Sequence, residues 1–204
     1  MELDHLVVAG SSLAEAVAAS EQALGTSLTA SGRHELFGTH NRLLGFQGRA
    51  YFEAIAIDPD GNDPGRPRWF GLDRFQGHAR LVTWVARVPD LDAALAIYPE
   101  AGDVIDLARG DLRWRMAVPA DGALALDGIM PMLIEWQGDL HPCDQLEQSA
   151  LGIERLSLKH PEAQEIGDLF KALGLDDPRI HLEQSDQAAI EAQISGPDGI
   201  RRLA

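Results

Sequence analysis

Two glutamates sit where a carboxylate is costly. Glu53 lies between Tyr51 and Ile55 in the run Tyr51–Ile57, and Glu135 follows Leu133 in the run Pro131–Gln137. Both runs alternate, so each carboxylate shares a face with the residues two positions away. A carboxylate in such a half-apolar strand is expected to line a wet cavity or meet a cation, although alternation fits an outward face as well. His34, His40 and Asn41 gather in a glycine-bearing segment that leads into a strand. Asn41 could donate to or accept from a substrate carbonyl there, or it could satisfy a turn. Arg113 and Arg115 alternate on one strand, and pointing into a cavity they would favour a carboxylate-bearing ligand. Arg66, Arg68 and Arg74, which flank Trp69 and Phe70, read as a solvated surface.

Other chemistries lack their residues. There is no G-x-S-x-G, no H-E-x-x-H, no phosphate loop and no dinucleotide fingerprint. Asp58-x-Asp60-x-Asn62 begins like a calcium loop, but Asp63 stands where glycine is needed and Trp69 where glutamate is needed. Cys143 has His141 two positions before it, a local spacing that makes no nucleophilic pair, and it reads as an ordinary thiol.

The elements that must position these groups follow a repeated order. Leu3–Ala9 predicts a strand with His5 and Val7 on one face. Ser12 predicts a helix cap, Glu15 stands at the capping-box position, and Leu13, Val17 and Leu24 make the stripe before Gly25. A polar stretch follows, then strands Asn41–Phe46 and Tyr51–Ile57. Asp58–Gly71, with three prolines and three glycines, reads as a connection. The pattern then returns: strand Leu81–Val88, cap Asp90, stripe Leu91, Ala94, Leu95 and Tyr98, strands Asp111–Val118 and Pro131–Gln137. It recurs in the tail, with strand Ile153–Leu158, Pro161 at a helix start, Gly174 at its end, and a closing hairpin of Ala188–Ile194 with Gly199–Leu203. Matching the first two helix starts sets His5 opposite Thr83. The expected organisation is a first module over 1–75, a second over 76–150 and an extension over 151–204 that completes or caps the others.

In this order and spacing the chain resembles the glyoxalase-like family of the vicinal oxygen chelate superfamily. The residues that carry it are Leu3-Asp4-His5-Leu6-Val7-Val8, Gly32-Arg33-His34, Gly38-Thr39-His40-Asn41, Tyr51-Phe52-Glu53-Ala54-Ile55-Ala56, Leu81-Val82-Thr83-Trp84 and Gly196-Pro197-Asp198-Gly199. The resemblance implies an α+β fold in which paired βαβββ modules curl mixed sheets around a cup, with helices outside. It also implies a divalent metal, zinc, manganese, nickel or iron, in that cup. His5 and Glu135 match two of the usual ligands and Glu53 a third position, whereas Thr83 stands where the second module would supply a histidine. Two functions follow. One is a metal-assisted lyase or isomerase for a small vicinally oxygenated metabolite, with Glu53 or Glu135 as base. The other is a metal-free protein that binds a small molecule through Trp84, Trp114 and Trp136. Modules of this kind pair within one chain or between two copies, as a homodimer.

Composition narrows the partners. Seventeen Lys and Arg against thirty-two Asp and Glu give a net charge of −15 over 204 residues, which repels nucleic acid and anionic membranes. No run approaches the length of an apolar membrane span, and one cysteine makes no internal disulfide. The expectation is a soluble, cytoplasmic protein with a small-molecule ligand.

Overall fold

Strand β1 (Glu2–Ala9) is buried along almost its whole length, as its apolar, β-branched sequence requires of a strand flanked on both sides. A computed structural model describes all 204 residues. Helix α1 (Leu13–Leu24) follows, with the Ser12 hydroxyl accepting from the Glu15 amide at its start and Gly25, at φ 65°, closing its end. The Glu15 carboxylate accepts from the Ser11 and Ala79 amides, so it ties the helix start to the chain ahead of the next unit. Strands β2 (Ala30–His34), β3 (Thr39–Gly45) and β4 (Tyr51–Ile57) complete this part.

The second part repeats the order with β5 (Arg80–Arg87), α2 (Leu91–Ile97), β6 (Asp103–Arg109), β7 (Leu112–Val118) and β8 (Met132–Trp136). Asp90 caps α2 by accepting from the Ala93 amide. Together the strands form one eight-stranded mixed sheet in the order β2-β3-β4-β1-β5-β8-β7-β6. Each half winds the same way, and the halves join where β1 pairs antiparallel with β5. The sheet curls into a nearly closed cup. Its inner face carries Val7, Ile55, Val85, Trp114, Met116 and Ile134; its outer face carries Leu6, Phe52, Trp84 and Leu133 beneath the helices.

The last part also runs strand, helix, three strands: β9 (Gly152–His160), α3 (Ala163–Ala172), β10 (Ile180–Gln184), β11 (Ala189–Gly196) and β12 (Gly199–Leu203). Its winding differs. The order β10-β9-β11-β12 puts β9 inside its own sheet, parallel to β10 and antiparallel to β11. This sheet and α3 lie on the outer face, sharing one core with Leu6 and Trp84, and they do not cap the cup. The connection after β4 does. Trp69 and Phe70 fold inward, Trp69 stacked on Phe37 with centroids 4.2 Å apart, so the segment is a strap across the cup. No helix is long and apolar enough to cross a membrane.

Candidate functional site

Four polar side chains of the first half converge on the inner face: His5 from β1, His34 from β2, Asn41 from β3 and Glu53 from β4. Asn41 and Glu53 are inward by strand alternation, between Leu43 and Thr39 and between Tyr51 and Ile55 respectively. His5 is inward by the same alternation, with Val7 and Ala9, and the local irregularity falls on Asp4. The β1–β5 register shifts between Leu3 and His5, which lets neighbouring residues Asp4 and His5 meet. The Asp4 carboxylate, wholly buried, lies 2.7 Å from His5 Nδ1. It also accepts from the Trp136 indole at 3.0 Å and lies 3.0 Å from His141 Nε2. On the other side His5 Nε2 is 3.5 Å from Glu53, whose second oxygen accepts from the Asn41 amide at 2.5 Å. Tyr51 stacks on the His5 ring with centroids 4.3 Å apart.

The electrostatics follow from this chain of contacts. Burial alone would depress His5, but hydrogen bonds to Asp4 and Glu53 outweigh it and raise the imidazole to about 9. Burial alone would raise Glu53, but the His5 hydrogen bond and charge bring it down to about 2. His34 has no such anion in contact, and burial lowers it to about 4. The centre is therefore an imidazolium between two carboxylates, with a neutral imidazole beside it.

The second half of the sheet supplies a different wall. Trp114 and Met116 from β7 and Ile134 and Trp136 from β8 face the polar group, with Trp69 and Phe70 of the strap above. The cavity between these walls is about 30 Å³, room for one or two waters. Arg109, the last residue of β6, completes its rim.

Several residues singled out from sequence lie elsewhere. Glu135 is on the outer face, where it accepts from the Leu91 amide at the start of α2 (2.7 Å) and from Arg115 (3.3 Å), so it does not join His5 and Glu53. Arg115 pairs with Asp92 of α2, and Arg113 bonds the Gly110 and Leu112 carbonyls; it is Trp114 between them that points inward. His40 turns away from Asn41 toward Asp58, 3.7 Å distant. Trp84 is an outer-face residue, donating to the Ile129 carbonyl and meeting Phe170 of α3 edge-on. Thr83, matched to His5 as the fourth residue of its strand, pairs with Val7 in the ladder and donates to the Gly128 carbonyl, while His5 pairs with Val85. Asp4 and Arg109 are not among the sequence candidates, and His141, considered there only beside Cys143, instead meets Asp4. Only Asp4 carried a signal there, as a charge inside a buried strand. Because Glu135 holds a helix start, Glu135→Ala should cost about 1–2 kcal/mol of stability in urea denaturation and leave ligand binding unchanged.

The comparisons agree with this architecture. The glyoxalase-like domain matches residues 3–174. The chain belongs to the glyoxalase-like domain family. This glyoxalase-like protein is similar in structure to a hypothetical protein from Staphylococcus aureus, at 14% identity and TM-score 0.62, over 92% of this chain and 87% of that one. It is more distantly similar to the methylmalonyl-CoA epimerase of Mycobacterium tuberculosis, at 19% identity and TM-score 0.43, over 68% and 88% of the two chains. Another such epimerase, from Streptomyces coelicolor in complex with 2-nitronate-propionyl-CoA, shows 16% identity and TM-score 0.43 over 68% and 95%. No curated protein matches the sequence. Both the resemblance and the cup-shaped α+β fold read from the sequence are thereby borne out.

The residues of this glyoxalase-like cup do not fit the divalent metal that the superfamily implies. The first half offers two imidazoles and one carboxylate inward, but His5 is taken up between Asp4 and Glu53 and His34 Nδ1 meets the Thr39 hydroxyl. The second half adds no imidazole or carboxylate: its inward positions include Thr83 and Val85 on β5, Trp114 and Met116 on β7, and Met132, Ile134 and Trp136 on β8. No group of three His, Cys, Asp or Glu side chains is arranged to hold an ion. Tightly held transition metals need such a third ligand.

Proposed function

We propose that this glyoxalase-like protein is a metal-free small-molecule-binding protein, its ligand held between the polar and aromatic walls of the cup. The observation that carries this reading is their convergence on one cavity: His5, Asn41 and Glu53 on one side, Trp69, Trp114 and Trp136 on the other. Aromatic faces hold a planar or apolar body, while a few fixed polar groups set its orientation. Proton transfer near neutrality favours groups that titrate there. His5 near 9 and Glu53 near 2 straddle that range, so they act as fixed charges. At about 30 Å³ the cavity is smaller than an organic ligand, and binding requires the strap or the cup rim to shift.

Two measurements test the reading. Three of the four tryptophans line or cover the cavity and Trp84 does not, so a ligand from a library of small polar aromatics should move three indole N–H resonances and leave the fourth. If no compound perturbs Trp69, Trp114 and Trp136 selectively, the reading falls. Manganese, nickel and zinc should leave the melting temperature unchanged, whereas a site filled at about a hundredfold its Kd would add about 2.7 kcal/mol. Stabilisation by one of these ions that is lost in His5→Ala would restore the metal-assisted lyase or isomerase.

A further inference from the structure

The eight-stranded sheet has two edges, β2 and β6, and the curl of the cup brings them face to face. They meet at Arg109 and Gly32. The guanidinium occupies the space a side chain on Gly32 would need: a Cβ there would lie 2.2 Å from Arg109 Nη1 and 2.8 Å from Asn41 Oδ1. Glycine at 32 therefore opens a seat for Arg109 directly beside Asn41.

Both seated groups are unanswered. Beyond its backbone pairing with Leu112, Arg109 makes no hydrogen bond, and its guanidinium has no carboxylate within 4.0 Å, although the chain carries thirty-two acidic residues. Asn41 is 2% exposed, its amide nitrogen spent on Glu53, and its Oδ1 is buried with no partner. A buried acceptor without a donor, next to a cation without an anion, is an incomplete arrangement. What completes it is one molecule carrying an anion and a hydrogen-bond donor close together.

We infer that the cup takes a small organic carboxylate bearing an adjacent hydroxyl or N–H, its carboxylate on Arg109 and its donor on Asn41 Oδ1. The remainder of the molecule lies against Trp114 and Trp69. A planar guanidinium matches a carboxylate through two parallel hydrogen bonds, and a partly buried one gains more from them than a solvated one. This inference rests on the binding reading above and specifies its ligand. It also gives Arg109 a second consequence: the residue that recognises the anion is the one that bridges the two sheet edges.

The test uses matched probes of two sizes on the whole protein. Glycolate and mandelate carry both features; glycolamide and mandelamide lose the charge; acetate and phenylacetate lose the donor. Binding is read from the indole resonances and by calorimetry. At least one hydroxyacid should bind about tenfold or more tighter than its amide and tighter than its deoxy counterpart. Arg109→Gln should abolish the preference for acid over amide, Arg109→Lys should keep part of it, and Arg113→Gln, whose side chain lies outside the cup, should keep all of it. Gly32→Ala, which fills the seat, should reproduce the loss while Arg109 is still present. If acids and amides bind alike, or Arg109→Gln retains the preference, this inference is overturned and the binding cup stands. If no probe moves the three indole signals, this inference is overturned, and the binding reading falls with it only if the library of polar aromatics leaves them unmoved as well.

Discussion

Asp4→Ala should lower the unfolding free energy by about 3–5 kcal/mol, the largest effect expected of any single polar substitution in the protein. The carboxylate is wholly buried and sits among His5 Nδ1 at 2.7 Å, His141 Nε2 at 3.0 Å and the Trp136 indole at 3.0 Å. Arg87 lies further out at 3.7 Å. Burial would push Asp4 upward, but hydrogen bonds from His141 and His5 outweigh it and hold the group well below the usual carboxylate range. Truncation removes the acceptor and leaves three donors and an imidazolium without their anion. Asp4→Asn keeps an oxygen of the same size and should lose distinctly less. Urea denaturation at neutral pH measures both. A loss below about 1 kcal/mol for the alanine variant would mean that water replaces the carboxylate without strain, and that Asp4 does not anchor His5.

Stability should also pass through a maximum near pH 6.5, with the two histidines of the cup setting opposite limbs. His5 has its folded value raised from 6.5 to about 9, so its contribution is complete below 6.5 and fades as the pH climbs toward 9. His34 has its folded value lowered from 6.5 to about 4, so the fold excludes a proton that the unfolded chain takes up. Its contribution is complete above 6.5 and fades as the pH falls toward 4. Each limb is worth about 3 kcal/mol, from about 2.5 pH units at 1.36 kcal/mol per unit. Below pH 4 the depressed carboxylates Asp4 and Glu53 steepen the acid limb. Denaturation midpoints across the range give the profile. His5→Gln should flatten the alkaline limb and His34→Gln the acid one; a limb that survives its own substitution assigns that proton to another group.

What could be read in advance divides along a physical line. β1, β4, β5 and β7 are interior strands with continuous apolar or alternating runs, and their positions follow from sequence. β2, β6 and β10 are all edges of their sheets, half-exposed and rich in polar residues, so no apolar run marks them. Arg109 was overlooked for that reason: its strand leaves no trace in the hydrophobic pattern. Parity explains the remaining misplacements. Glu135, Arg113 and Arg115 lie on regular strands whose alternation was visible, but alternation says which residues share a face and not which face is inner. His5 and Asp4 show the converse, since a shifted register lets two adjacent residues act together where strict alternation would separate them. Glu53, Asn41 and His34 converge with His5 from four different strands, a meeting that the pairing of the strands sets and their spacing along the chain does not show.

The central place of β1 also governs how the chain can be made. β1 lies between β4 and β5, and until residues 80–87 exist one side of it has no partner. A nascent chain that has emerged only through β4 thus carries a bare, largely apolar strand edge, the geometry most prone to pair with a neighbour. The second half must therefore follow the first before that edge meets another chain.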